Sequence, residues 1–222
     1  LLERLPAAVP DVPWLRIMYA YPGHVTQRLA DTMARLPNIA RYIDIPLQHA
    51  SESVLRRMKR PSNTRMVREM LATLREAMPD IAIRTTFIVG YPGETEAEFN
   101  ELLAFVREMA FDHVGCFTFS PQSESPAAHE PDPVPERVKK RRQRQLMEIA
   151  QQVSLIKNRA MAGREIDVLV ESSSTPREDY DTGFVVGRSY RDAPEVDGLV
   201  LLEGDFAPGD FVRAKVTQAL AY

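Results

Sequence analysis

Thr85-Thr86-Phe87-Ile88-Val89-Gly90-Tyr91-Pro92-Gly93-Glu94 is the stretch on which the reading of this chain turns. Its apolar and β-branched residues do not alternate with polar ones, as a strand covered on both faces requires and a half-exposed strand does not. It then runs into two glycines, a proline and a carboxylate. Glycine permits close backbone approach and unusual dihedrals, and proline stiffens the turn. In parallel α/β folds ligands sit at the C-terminal ends of the strands, so this turn is a candidate ligand edge. The plainer reading is a tight strand-to-helix turn with Glu94 favourable at the helix N-terminus.

The flanking sequence alternates strand and helix signals. Short apolar runs at 14–22, 39–47, 81–90 and 113–120 read as strands. Between them, Val25, Leu29, Met33 and Leu36 recur at helical spacing, as do Met66, Met70, Leu74 and Met78. Ser51 and Asn63 are N-cap candidates, and Thr95 with Glu98 has the capping-box spacing. Strand, helix, strand, helix implies parallel strands with crossover helices, as a barrel fragment or an open sheet.

The texture changes after residue 120. Residues 120–135 hold five of the 17 prolines and read as a surface loop. A long helix follows, with Pro135 suited to its first turn, Gly163 to its cap, and Val138, Leu146, Ile149, Val153 and Ile156 as its apolar stripe. From 164 onward only strand signals remain, and they predict a small antiparallel barrel of about five strands. The expected division is 1–134, a linking helix over 135–163, and 164–222.

With 222 residues, 44% of them hydrophobic, and a net charge of −3, the chain can bury a core and reads as an ordinary soluble protein. No apolar run approaches the roughly 20 residues of a membrane span, and the opening residues do not read as a signal peptide. A single cysteine, Cys116, excludes an internal disulfide and makes the cytoplasm the default location.

Polar residues gather at the predicted strand ends: Gln48 and His49 after Pro46, and Tyr19 and Tyr21. Arg84 lies inside an apolar strand and needs an anionic partner, either a barrel carboxylate such as Asp44 or the carboxylate of a ligand. An enzyme using His49 and Glu94 as acid and base is one rival reading. A non-catalytic nucleic-acid-binding module is another.

"YIDIPLQHASESVLRRMKRP", "IRTTFIVGYPGETEAEF", "GCFTFSPQSESPAA" and "KKRRQRQLMEIAQ" together resemble the methylthiotransferase family of radical S-adenosylmethionine enzymes. "YIDIPLQHAS" and "GRSYRDAPEVDG" are similar to the branch that modifies a ribosomal protein, and the tRNA-adenosine branch is the alternative. The resemblance covers nearly the whole chain. It implies a partial (β/α) radical SAM barrel followed by a small all-β, OB-like TRAM domain. The activity implied is methylthiolation, by a transferase, of the β-carbon of an aspartate in a small-subunit ribosomal protein. It also implies S-adenosyl-L-methionine as cofactor and two 4Fe-4S clusters in the full-length enzyme.

The family's cluster cysteines are absent here. The chain is therefore expected to be a fragment that binds no cluster, starts no radical alone, and carries no assigned catalytic residue. The resemblance places Ile88, Gly90, Pro92 and Gly93 against the adenine, Gln48 near the ribose, and Arg84 at the methionine carboxylate. Phe117, with Phe119, walls the pocket or belongs to the core. By this reading the glycines let backbone lie flat against a nucleoside.

Residues 164–222 carry twelve acids against six bases, among them Asp179, Asp181 and Asp192. An RNA-binding barrel should be basic, whereas an acidic one suits a basic ribosomal protein or serves solubility. The run Lys139-Lys140-Arg141-Arg142 with Arg144 reads as a solvated helix face, or as a contact to ribosomal RNA.

Overall fold

The computed structural model describes residues 1–121, 130–175 and 183–221. Four parallel strands lie in sequence order: β1 (Leu15–Ile17), β2 (Ile39–Asp44), β3 (Ala82–Val89) and β4 (His113–Thr118). After the short α1 (Leu5–Ala8), the helices α2 (Gln27–Arg35), α3 (Glu52–Arg57), α4 (Thr64–Ala77) and α5 (Glu96–Met109) form the crossovers. The strands are shorter than the apolar runs suggest, because each run extends into the loop that leaves the sheet.

Local chemistry sets the helix starts. Thr26 accepts from Leu29 N–H and Asn63 from Met66 N–H. Thr95 and Glu98 form the full capping box. Ser51 stands at the N-cap of α3 without a capping bond; its hydroxyl contacts that of Ser53 instead.

One face of the sheet packs on the helices. Ile43, Ile83, Phe87, Val89, Val114 and Cys116 lie there against Met33, Leu71, Leu74, Phe99 and Leu102. The other face presents Tyr42 and Asp44 from β2, Arg84, Thr86 and Ile88 from β3, and His113 and Phe117 from β4, following the period of two along each strand.

The long helix α6 (Glu136–Arg159) is a layer of this domain as well as a connector. Leu146, Ile149 and Ala150 are buried in the same core. Its stripe ends sooner than expected, since Ile156 is 68% exposed. The helix stops at Arg159, and Gly163 lies beyond it with φ +82°.

The second domain has four strands among the described residues, not five. These are β5 (Glu165–Thr175), β6 (Phe184–Ser189), β7 (Val200–Glu203) and β8 (Phe211–Lys215), antiparallel in the order β7-β6-β5-β8. Val168, Val170, Val185 and Leu202 form its core. Gly187 is required where β6 crosses β5, since a Cβ there would stand 2.5 Å from Leu169 O.

Candidate functional site

The glycine turn is closed by its own carboxylate. Glu94 Oε2 accepts from the backbone N–H of Gly90 and of Tyr91, the latter at 3.1 Å. Gly93 N–H donates to Asp132 O at 2.8 Å, and Thr95 caps α5. The N–H groups of Gly90, Tyr91 and Gly93 are thus all taken within the protein, and Glu94 organises the turn that leads into α5.

Arg142 of α6 secures Glu94 from beneath, with Nη1 at 3.0 Å from Glu94 O and 3.4 Å from Oε1. The alkyl stem of Lys139 occupies the space a side chain at Gly90 would need, and its Nζ donates to Phe119 O at 2.8 Å. Lys139 and Arg142 are therefore buried structural residues, correcting the solvated-face reading for two of the five residues of the basic run. Gly90 makes room for α6, and both Gly90 and Pro92 are buried, so neither presents a flat exposed backbone.

His49 and Glu94 do not form an accessible acid–base pair. Both side chains are fully buried, and Nε2 lies 3.9 Å from Oε1. Ser51 N–H donates to His49 Nδ1 at 3.0 Å, so the neutral ring carries its proton on Nε2, facing Glu94.

On the inner face, opposite the helices, the reachable surface lies at the C-terminal strand ends. Gln48 adopts a left-handed φ of +72°, and its backbone bridges to β3: its N–H donates to Thr86 O at 2.9 Å and its O accepts from Ile88 N–H at 2.8 Å. A non-glycine residue held in that conformation marks a position the surroundings over-determine. Ile88 is half-buried and Phe117 is 61% exposed beside it on β4. Phe119 turns the other way, its ring 5.1 Å from that of Tyr91. Tyr19 and Tyr21, at the end of β1, are exposed.

Arg84 lies lower on the same face and has protein partners. Nη1 donates to Asp44 Oδ1 at 3.1 Å and Thr86 Oγ1 at 3.2 Å; Nε donates to Asp197 Oδ1 at 3.2 Å. The ion-pair alternative with Asp44 is thus present, joined by a second carboxylate from the small domain. Asp197 also accepts from the Tyr42 hydroxyl at 2.6 Å. Burial first, and then the Asp197 charge, raise the tyrosine above its ordinary range, which keeps it the donor.

The residues fit a nucleoside-type ligand better than a metal cluster. Ile88 and Phe117 supply apolar walls, Gln48 and Thr86 supply polar groups, and Asp44 Oδ2 is a buried acceptor with no partner. Cys116, the one thiol, faces the helices; burial, then the Glu94 charge, push it up to about 12. Among the described residues no group of three or more His, Cys, Asp or Glu is placed to hold a metal ion. The acids Asp179 and Asp181 lie outside the described residues. Asp192 is tied to the Ser189 hydroxyl at 2.6 Å.

A parallel half-barrel with its reachable groups at the strand ends, joined to a small antiparallel domain, defines a class. Residues 2–106 match the radical SAM superfamily and residues 162–222 match the TRAM domain, so both domains are present in this chain. The chain is 51% identical to the ribosomal protein uS12 methylthiotransferase RimO of Roseiflexus sp. (strain RS-1), over 100% of this chain and 47% of that protein. It is 49% identical to the protein of the same name from Roseiflexus castenholzii, over 100% and 46%. The chain therefore spans about half the length of the curated relatives it matches. Coproporphyrinogen III oxidase (HemN) from Escherichia coli, a radical SAM enzyme, shares the fold with a TM-score of 0.53 at 15% identity, covering 79% of this chain and 46% of that one.

Proposed function

We infer that this chain is the barrel-completing and TRAM part of a methylthiotransferase that modifies the β-carbon of an aspartate in ribosomal protein uS12. The observation that carries the reading is the similarity running unbroken through both domains, 51% over all 222 residues. It favours the ribosomal-protein branch over the tRNA branch and over a non-catalytic binding module.

In this reading S-adenosyl-L-methionine, when bound, supplies the hydrogen-abstracting radical and the methyl group. The chain's own residues bind and orient it. Ile88 and Phe117 flank the base, and Gln48, locked by its backbone bridge, presents its amide to the ribose. Gly90, Pro92 and Gly93 hold the turn that fixes Ile88, and Arg84 forms the polar floor below. Two 4Fe-4S clusters are held by parts of the full-length enzyme outside this chain, so residues 1–222 alone are inactive. A modification made on ribosomal protein supports a cytoplasmic location in this reading.

The acidic TRAM domain receives the basic ribosomal protein by charge complementarity. Arg141 is exposed but paired with Glu96 at 2.9 Å, so exposed Lys140 and Arg144 are the members of the basic run left for a contact to ribosomal RNA. The test is to supply the full-length enzyme with methyl-labelled S-adenosylmethionine, uS12 and tRNA together. Label on an aspartate peptide of uS12 is expected; label in tRNA instead would contradict the reading.

A further inference from the structure

The connection between β6 and β7 leaves its own sheet and packs against the inner face of the half-barrel. Ala193 is buried with Ala40, Tyr42 and Ala82. Arg16 Nη1 donates to Tyr190 O at 2.6 Å, and His113 Nε2 pairs with Arg191 O at 2.8 Å. Arg191 reaches Asp112 at 2.7 Å. At the far end of this segment, Asp197 enters the sheet interior with its side chain 1% exposed and meets Arg84, itself 13% exposed.

We propose that Asp197, carried by the small domain, is a positioning residue for ligand binding in the barrel, acting through Arg84. The guanidinium is planar and forked, so partners on two of its nitrogens fix its plane. Asp197 holds Nε, while Nη1 holds Asp44 and the Thr86 hydroxyl. Nη2 passes over Gly115, where a Cβ would stand 3.5 Å away. Thr86 shares its strand face with Ile88, and its carbonyl takes the Gln48 N–H. The chain of contacts therefore runs from a loop of the small domain to the two residues that face the ligand. Without Asp197 the guanidinium keeps partners only on Nη1, Asp44 and the Thr86 hydroxyl, and its plane is no longer fixed at Nε.

The proposal rests on the cofactor reading above. The test is the dissociation constant for S-adenosylmethionine, measured with thermal unfolding, on the full-length holoenzyme. Asp197→Asn is made in the wild-type and in the Arg84→Gln background. The expected result is about tenfold weaker binding from Asp197→Asn when Arg84 is present and no further loss when it is absent. Unchanged affinity, whether or not the melting temperature falls, overturns the proposal, and so does an equal loss in both backgrounds. Should Asp197→Asn fail to fold, Tyr42→Phe removes one bond that orients Asp197, and the same outcomes decide. A wild-type enzyme that binds no S-adenosylmethionine overturns the cofactor reading as well; binding by wild type with an unaffected variant overturns only this one.

Discussion

The stem of Lys139 lies where a side chain on Gly90 would be, so a helix that begins 46 residues later sets the identity of the residue that follows β3. Gly90 also has φ +76°, a region costly for other residues. Gly90→Ala is expected to destabilise the full-length enzyme by about 2–4 kcal/mol, combining the left-handed backbone with overpacking. Denaturant unfolding measures it. A loss below about 0.5 kcal/mol, the range of an unconstrained surface site, would show that Lys139 moves aside freely.

Removing Arg84 leaves two buried carboxylates facing each other. Asp44 and Asp197 have side chains 1% exposed, so Arg84→Ala is expected to cost about 3–5 kcal/mol and to lower the melting temperature clearly. Calorimetry checks this. A variant with unchanged melting but weakened S-adenosylmethionine binding would return Arg84 to the role of ligand-carboxylate clamp alone.

Much of the fold could be read directly. Asn63, Thr95 and Glu98 act as their positions suggest, because caps are local interactions between neighbours in sequence. The interior of the half-barrel could not be read. Arg84 announced its need for an anion and Asp44 was a candidate, but its second partner lies 113 residues away in another domain. Lys139 and Arg142 resembled a solvated run because Glu94 and the Phe119 carbonyl, which satisfy them, are remote in sequence. One signal was present: they continue the spacing of Leu146 and Ile149 on a single helix face. Gln48 was placed at the rim, but its left-handed backbone comes from the bridge to β3, which no local pattern encodes.

The α3–α5 contact gives a pH signature. Burial alone would raise the Glu98 carboxyl, but bonds from Arg57, Ser53 and the Thr95 backbone, with the Arg57 charge, lower it from 4.5 to about 2. A folded value below the unfolded one contributes stability that is full above about pH 4.5 and is lost as pH falls toward 2. Glu98→Gln should remove on the order of 1–3 kcal/mol at neutral pH and flatten the acid limb over that window. Unfolding curves at several pH values test this. Parallel limbs for wild type and variant would contradict it.

Cys116 should be chemically silent. A buried thiol raised to about 12 holds almost no thiolate at pH 8 and should react with a thiol reagent only on unfolding. In the full-length enzyme, Cys116→Ala should leave iron and sulfide content unchanged. Loss of a cluster from that variant would show that Cys116 is a ligand.

Exposed acids of the TRAM domain should act on encounter. Reversing Glu195 and Asp205 to lysine is expected to slow association with uS12 severalfold at low salt, the difference shrinking as salt screens it. Stopped-flow association at two ionic strengths measures it. Equal rates at low salt would remove charge steering from the account.

If the inner-face strand ends of this chain hold S-adenosylmethionine, as proposed, their side chains set its affinity. Equilibrium binding of that cofactor decides it, measured on the full-length holoenzyme carrying Ile88→Asp or Gln48→Ala, beside Arg65→Ala on the exposed face of α4 as control. Ile88→Asp should abolish measurable binding, Gln48→Ala should weaken it about tenfold, and the control should match wild type. Wild-type affinity in both site variants, with the fold intact, would contradict the claim.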